Sequence, residues 1–296
     1  MEARHADPLL GFYGPGSRMW HINREAVLLG AGPAATLLQV AHPLIAEGVA
    51  QHSDFQGDPF GRLRRTLATT MDLVFGDGRT AEAAIGRLNR VHASVRGPVQ
   101  DPMAAAATGT ADYRALDPEL LLWVQVTLIV TSVRAYRRWV GPLTRQDAEA
   151  FWSEARSVGV RMGIPLRVSP PDWAALMGYW YRMLAPDGPI QVTDTARSLA
   201  PMLVRPPLPL VAGWAVHLLA LPGLALLPDR IREAYGIHWG TGHERAAALA
   251  GRAVRSWTST VPVGWRSMPQ ARAAARRVRV GRASAWPLSA PESWGG

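Results

Sequence analysis

Arg62 and Thr66 stand one helical turn apart, and His92 follows thirty residues after Arg62. Their side-chain types suit one another chemically. A neutral imidazole nitrogen can ligate a metal, and a guanidinium with a hydroxyl can hydrogen-bond negative charge developing on that metal's ligand. Each also has a plainer reading. An inward histidine is by default a packed core residue, and Arg62 with Thr66 can be a surface arginine beside a capped threonine. Other histidines compete. His42 precedes Pro43 at a helix end, and His52-Ser53-Asp54 together with His92 would spell a two-histidine, one-carboxylate iron triad. That triad usually sits on the strands of a β-barrel, which this sequence does not supply. The two Glu-x-x-His motifs that a di-iron bundle needs do not occur together in the chain.

The elements that must hold these residues read as helices. Asp58-Pro59 supplies a cap and a first-turn proline for a helix running to Gly76, and Thr80 caps a second that stops at Gly97-Pro98. On the second, Ala84, Ile85, Leu88, Val91, His92 and Val95 share a face, which turns His92 towards the core. On the first, Arg62, Thr66, Thr69 and Leu73 form one stripe, and Leu63, Leu67, Met71 and Val74 an adjacent apolar one. A short turn joins the two helices, so they run antiparallel. At about 1.5 Å per residue, Arg62, Thr66 and His92 then lie at about the same height. Asp117-Pro118-Glu119 opens a third helix apolar enough for the centre of a bundle. Thr144 with Asp147 resembles a capping box, Pro171-Asp172-Trp173 begins another helix, and "ERAAALAGRAVRSW" and "QARAAARRVRV" are two more. Residues 98–113 read as a long loop, a candidate lid.

Composition narrows the chemistry. The 296 residues include no cysteine, which excludes disulfides, iron–sulfur clusters, thiolate-ligated or covalently attached haem, and cysteine nucleophiles. There is no lysine either, so lysine Schiff bases and Walker-type phosphate lysines are excluded. A formal charge of +9 raises the question of nucleic acid. The excess gathers in the tail, at Arg252, Arg255, Arg266, Arg272, Arg276, Arg277, Arg279 and Arg282, without an aromatic-interleaved binding motif. A solvated or anion-facing surface is the simpler reading. No signal-peptide pattern opens the chain. Leu208–Leu227 is long enough to cross a bilayer, but Pro209, His217 and Pro222 suit a broken, buried helix better.

"LLGAGPAATLL" (Leu28–Leu38) looks like the glycine turn of a flavin- or NAD-binding domain, and "TTMDLVFGDG" (Thr69–Gly78) like a ribityl-binding stretch. Such a turn counts only inside a strand–turn–helix–strand unit. Here the punctuation is helical, Glu47 falls early for a ribose-binding acid, and the two stretches stand too close together. The small residues instead mark a crossing where another helix or a flat ligand approaches the backbone closely.

"REAVLLGAGPAATLLQVAHPLIAEGVAQHSDFQGDPFGRLRRT" (Arg24–Thr66), "NRVHASVRG" (Asn89–Gly97) and "YRALDPELLLWVQVTLI" (Tyr113–Ile129) together resemble the MpaB / latex-clearing-protein oxygenases, from Arg24 to about Leu227. The resemblance implies an all-helical, globin-like fold around b-type haem and dioxygen-dependent cleavage of isoprenoid double bonds. In the rubber-cleaving branch a helix carries an Arg-x-x-Lys-Thr pattern, with the proximal histidine about thirty residues later. This chain has Arg62-Leu63-Arg64-Arg65-Thr66, then His92. The resemblance therefore makes His92 the proximal iron ligand, and Arg62 and Thr66 catalytic residues of the distal pocket. It makes Arg65, His42 and Arg96 further cofactor contacts and matches Glu47 to a catalytic glutamate. Arg65 departs from the pattern. Arginine stays protonated and cannot replace a ligating lysine, so a lysine-closed resting state is not expected and rubber is not assigned as substrate.

The expected fold class is all-α: a single globin-like helical bundle enclosing a b-type haem. An N-terminal extension (1–23), a haem-oxygenase-like domain (24–250) and a basic C-terminal helix and tail (251–296) complete the layout. The expected activity is haem b-dependent oxygenation, with dioxygen as co-substrate, of a lipophilic unsaturated compound of isoprenoid type. Trp123 and Val126 would line its apolar tunnel. The alternatives are a non-catalytic haem- or lipid-binding helical protein and a flavin or non-haem iron oxidoreductase. Expected partners are a lipophilic small molecule, with no nucleic acid and no obligatory protein. The expected location is cytoplasmic, with peripheral membrane contact through the basic tail left open.

Overall fold

Helix α7 (Pro118–Trp139) is the pillar around which the chain is built, and its ends are written locally in the sequence. Asp117 accepts from the Glu119 backbone N–H (2.8 Å), and Pro118 occupies the first turn, where a missing donor costs nothing. Arg137 and Arg138 sit in the last turn, where cations complement the helix dipole. Leu122, Trp123, Val126, Val130 and Trp139 are buried, as suits a helix surrounded on most sides. This helix is long and apolar enough to cross a bilayer, yet most of it is enclosed by protein.

The computed structural model describes residues 5–52, 59–204 and 221–284, apart from the side chains of 59–63 and 282–284. In chain order α1 (Arg18–Asn23), α2 (Gly32–Val40), α3 (Pro43–His52), α4 (Pro59–Phe75), α5 (Gly78–Ser94) and α6 (Pro102–Thr108) precede α7. After it come α8 (Arg145–Gly159), α9 (Trp173–Met183) and α10 (Asp194–Val204), then the helices Asp229–Ala234, Thr241–Thr260, Val263–Arg266 and Pro269–Ser284. Among the described residues the one sheet pairs β1 (Arg96–Pro98) with β2 (Asp112–Arg114). The fold is all-α. Helices α2, α8 and Thr241–Thr260 pack on α7. The Thr144–Asp147 capping box opens α8, and Asp172 caps α9.

Several boundaries differ from the sequence reading. Asp77, not Thr80, caps α5, its carboxylate accepting from the Thr80 N–H (2.8 Å), and the helix ends at Ser94. Residues 98–113 are not a loop. Asp101 caps α6 by accepting from the Met103 N–H (2.8 Å), and Gly109 ends that helix in the left-handed conformation (φ 66°). Two strands flank it. The chain before Arg24 is no appendage, since Phe12, Tyr13, Trp20 and Ile22 belong to the core. The glycine stretch forms a 3-10 turn (Ala26–Ala31) leading into α2, with no strand before it. The close approach expected there lies at Gly223, where a Cβ would collide with the Gly30 carbonyl oxygen.

The Asp58 cap, the Arg62 side chain, Asp54 of the iron triad, residues 208–220 of the apolar segment and the tail beyond Ser284 lie outside the described residues. The remainder of that segment is described, and Leu224, Leu226 and Leu227 are buried. The C-terminal helix Pro269–Ser284 folds back on the N-terminal elements. Arg277 donates to the carbonyls of Leu9 (3.3 Å) and Phe75 (2.8 Å), and the Met268 N–H donates to Arg24 O (2.8 Å).

Candidate functional site

Helices α4 and α5 are joined by Gly76 and Asp77 alone and pack along each other, with an Arg87–Asp72 ion pair (2.6 Å) between them. Helix α4 buries Met71, Val74 and Phe75 and leaves Thr66 exposed on its other side. Helix α5 buries Ala81, Ala84 and Ile85. Beyond Ile85 its inward stripe runs out, and Val91, expected to face the core, is 59% exposed.

His92, one turn from that exposed end, is partly buried and faces a cavity of about 600 Å³. Leu44 of α3 forms one wall. His92, Ala93 and Val95 form a second, the hairpin residues Arg96 and Asp112–Arg114 a third, and Leu116–Pro118 at the start of α7 a fourth. The Nδ1 atom of His92 is buried and has no hydrogen-bond partner. Burial lowers the imidazole pKa below its ordinary value, so the ring is held neutral. A neutral imidazole with an unoccupied nitrogen is the form that ligates metals.

Across the hairpin Arg96 pairs directly with Arg114, and both line the cavity. Neither has an ion-pair partner among the described residues. Like charges set opposite one another on paired strands repel. An anion held between them would relieve that repulsion.

Between Asp112 and Arg114, Tyr113 is buried, and its hydroxyl donates to Gln51 Oε1 (2.9 Å). Gln51 Nε2 in turn donates to Glu47 Oε2 (2.8 Å) and to the Pro98 carbonyl (3.0 Å). Glu47 is 2% exposed, and its carboxylate also accepts from the Gln100 N–H (2.8 Å) and the Thr195 hydroxyl (3.2 Å). Three neutral donors thus hold a buried carboxylate that has no cationic partner among the described residues. Their bonds tie α3 to the hairpin and α10. A Cβ on Gly97 would stand 3.0 Å from both Tyr113 Oη and Gln51 Oε1, so the close packing here depends on glycine.

His42 lies beside this region without lining the cavity. It is buried, its Nδ1 accepts from the Leu44 N–H (3.3 Å), and burial pushes its pKa down to about 4 against the opposing pull of Asp117. His52 is exposed, and its Nε2 meets the Arg96 carbonyl (3.1 Å). Of the residues singled out by sequence, the structure gathers His92 and Arg96 at one cavity. It sets Glu47 and His42 behind the walls, and Thr66 and Arg65 on an exposed stretch of α4. Trp123 is wholly buried in the core, stacked on Trp180 (5.6 Å between centroids), and does not line the cavity. Sequence reasoning missed Arg114 and Tyr113, because strands of three residues are too short to show an alternating pattern.

The fold and site define an all-helical protein with a histidine-walled cavity. Residues 19–256 match the family described as ER-bound oxygenase mpaB/B'/Rubber oxygenase, catalytic domain, and the chain belongs to that family. Two mycobacterial proteins, Mb2261 of Mycobacterium bovis and Rv2237 of Mycobacterium tuberculosis, both named as uncharacterized, are similar to it. Each is 28% identical over 222 residues, covering 72% of this chain and 82% of the relative. No solved structure matches the chain significantly.

Proposed function

We propose that the protein is a haem b-dependent oxygenase that uses dioxygen on a lipophilic, unsaturated substrate of isoprenoid type. Family membership supports the oxygenase reading. The haem reading is carried by His92, a neutral imidazole whose ring lines a cavity of about 600 Å³ and whose Nδ1, buried behind it, has no hydrogen-bond partner.

The residues present fit a b-type haem. His92 would offer an imidazole nitrogen to the iron, and Arg96 with Arg114 would offer cations to the porphyrin carboxylates. Leu44, Val95 and Leu116 offer apolar contact to the macrocycle. When bound, the haem supplies the iron chemistry that activates dioxygen. The chain's own residues bind, orient and exclude water. The roles of Arg62 and Thr66 come from the family resemblance alone, in which they would hydrogen-bond an oxygen-derived ligand; Thr66 is exposed on α4 and does not line the cavity beside His92. Glu47 holds the hairpin in place through Gln51, and His42 fixes the turn into α3 beside Leu44.

The absorption spectrum of the purified protein tests this reading. A Soret band, a pyridine haemochrome of b type and oxygen consumption with isoprenoid alkenes yielding carbonyl fragments are expected. Protein that stays colourless after expression with ample iron and haem precursor overturns it.

A further inference from the structure

The family match ends at residue 256, and a strongly basic stretch runs across that boundary from Arg245 to Arg282. From Arg245 to Arg282 the sequence holds Arg245 and the eight tail arginines and no acid. Three are tied inward: Arg255 donates to the Arg137 carbonyl (3.2 Å), Arg266 pairs with the buried Glu25 (3.2 Å), and Arg277 binds the Leu9 and Phe75 carbonyls. Arg245, Arg252, Arg272, Arg276 and Arg279 are exposed without an acidic partner among the described residues.

Large apolar side chains stand among them. On the helix Thr241–Thr260, Leu249 (60% exposed) and Trp257 (45%) fall at i and i+8 of one stripe, with Arg245 one turn before and Arg252 beside it. The next turn exposes Val263 and Trp265, the latter 83% exposed. That turn is firmly held. Ser267 bridges to Glu25, Met268 bonds to Arg24, and Ser267 and Met268 are both buried. Trp265 is therefore presented to solvent from a fixed base. An exposed tryptophan in the turn between two helices that both carry exposed arginines without acidic partners has the chemistry of a membrane interface. Its ring enters the headgroup boundary while guanidinium groups meet lipid phosphates. Trp257 and Trp265 stand among these arginines in the sequence, and the structure shows that both are exposed.

We propose that this C-terminal surface docks the protein peripherally on an anionic lipid bilayer, with Trp257 and Trp265 entering the interface and the exposed arginines meeting lipid phosphate. Docking there would bring a lipophilic substrate to the protein from the bilayer. The surface stands apart from the haem reading, and vesicle binding is read without any cofactor.

Co-sedimentation of the full chain with vesicles of phosphatidylcholine, alone or with phosphatidylglycerol, tests it. Binding to the mixed vesicles at least tenfold tighter than to phosphatidylcholine alone is expected, weakening as salt rises. The W257S/W265S and R245Q/R252Q/R272Q variants, with circular dichroism unchanged, should each lose about tenfold or more. Failure to bind anionic vesicles overturns the proposal, as does vesicle binding that both variants retain in full. The same follows if the variants lose duplex-DNA binding or self-association on light scattering while vesicle binding stays at the wild-type level.

Discussion

Arg96 and Arg114 face each other across the two paired strands, both at the cavity wall and neither in an ion pair among the described residues. The free protein carries the repulsion, of order 0.2–1 kcal/mol for directly opposed like charges, and a bound dianion would turn it into attraction. Arg114→Gln should therefore stabilise the haem-free protein by a few tenths of a kcal/mol while weakening haem retention about tenfold. Thermal unfolding of the apoprotein and haem titration read the two effects separately. A fall in both together would make Arg114 a support of the fold.

His92 touches the cavity from the end of α5 and is only partly buried, so its removal costs the fold little. His92→Ala should keep its far-ultraviolet circular dichroism and lose most haem from the pyridine haemochrome assay. Added imidazole should restore part of it, because the truncated side chain leaves space for a free ligand. Full occupancy in the variant without imidazole would remove His92 from the axial role. In Arg62→Ala, haem content should persist while substrate-dependent oxygen consumption drops at least tenfold, roughly the loss of one charged hydrogen bond in the transition state. Equal rates would take Arg62 out of the reaction.

His42 gives the protein an acid-sensitive element. Its pKa is about 4 in the fold against an ordinary value near 6.5, so between those values the unfolded chain binds a proton that the folded one refuses. Stability is then complete above about pH 6.5 and falls as the pH drops towards 4, by roughly 3 kcal/mol in all. Burial also lowers the pKa of His92 and His21, which add with the same sign. His42→Asn retains an acceptor for the Leu44 N–H and carries no charge, so it should flatten part of the slope. Denaturant titrations at pH 6.5, 5.5 and 4.5 measure the difference, and an unchanged slope would mean that His42 is hydrated in the fold.

How far the sequence reaches depends on how local each signal is. The caps at Asp117, Thr144 and Asp172 lie within three residues of the backbone groups they satisfy, and the corresponding helices are legible from the residues alone. The family resemblance is legible too, from three separated stretches. What pairs at long range is not. The approach of Gly223 to the Gly30 carbonyl joins residues far apart along the chain, and Tyr113 meets Gln51 from a distant element to tie the hairpin to α3. Extending the α5 stripe to Val91 fails because periodicity tells which residues share a face but not where the opposing helix ends. His92 consequently meets a cavity, not a core, and that placement makes it available to a ligand.

Glu47 separates a chemical role from an architectural one. Its Oε2 accepts from Gln51 and Gln100, and its Oε1 from Thr195, with Tyr113 reached only through Gln51. Glu47→Ala leaves those donors unpaired in the interior and should cost about 3 kcal/mol or more, with the hairpin loosened and haem retention reduced. Glu47→Gln keeps its carbonyl where Oε2 was and turns its amide towards the Thr195 hydroxyl, which can accept as well as donate. The glutamine variant should therefore unfold within about 1 kcal/mol of wild type and keep most of its oxygen consumption. A glutamine variant with wild-type stability and haem content but no turnover would show that the carboxylate itself takes part in the reaction, moving Glu47 from the clasp into the chemistry.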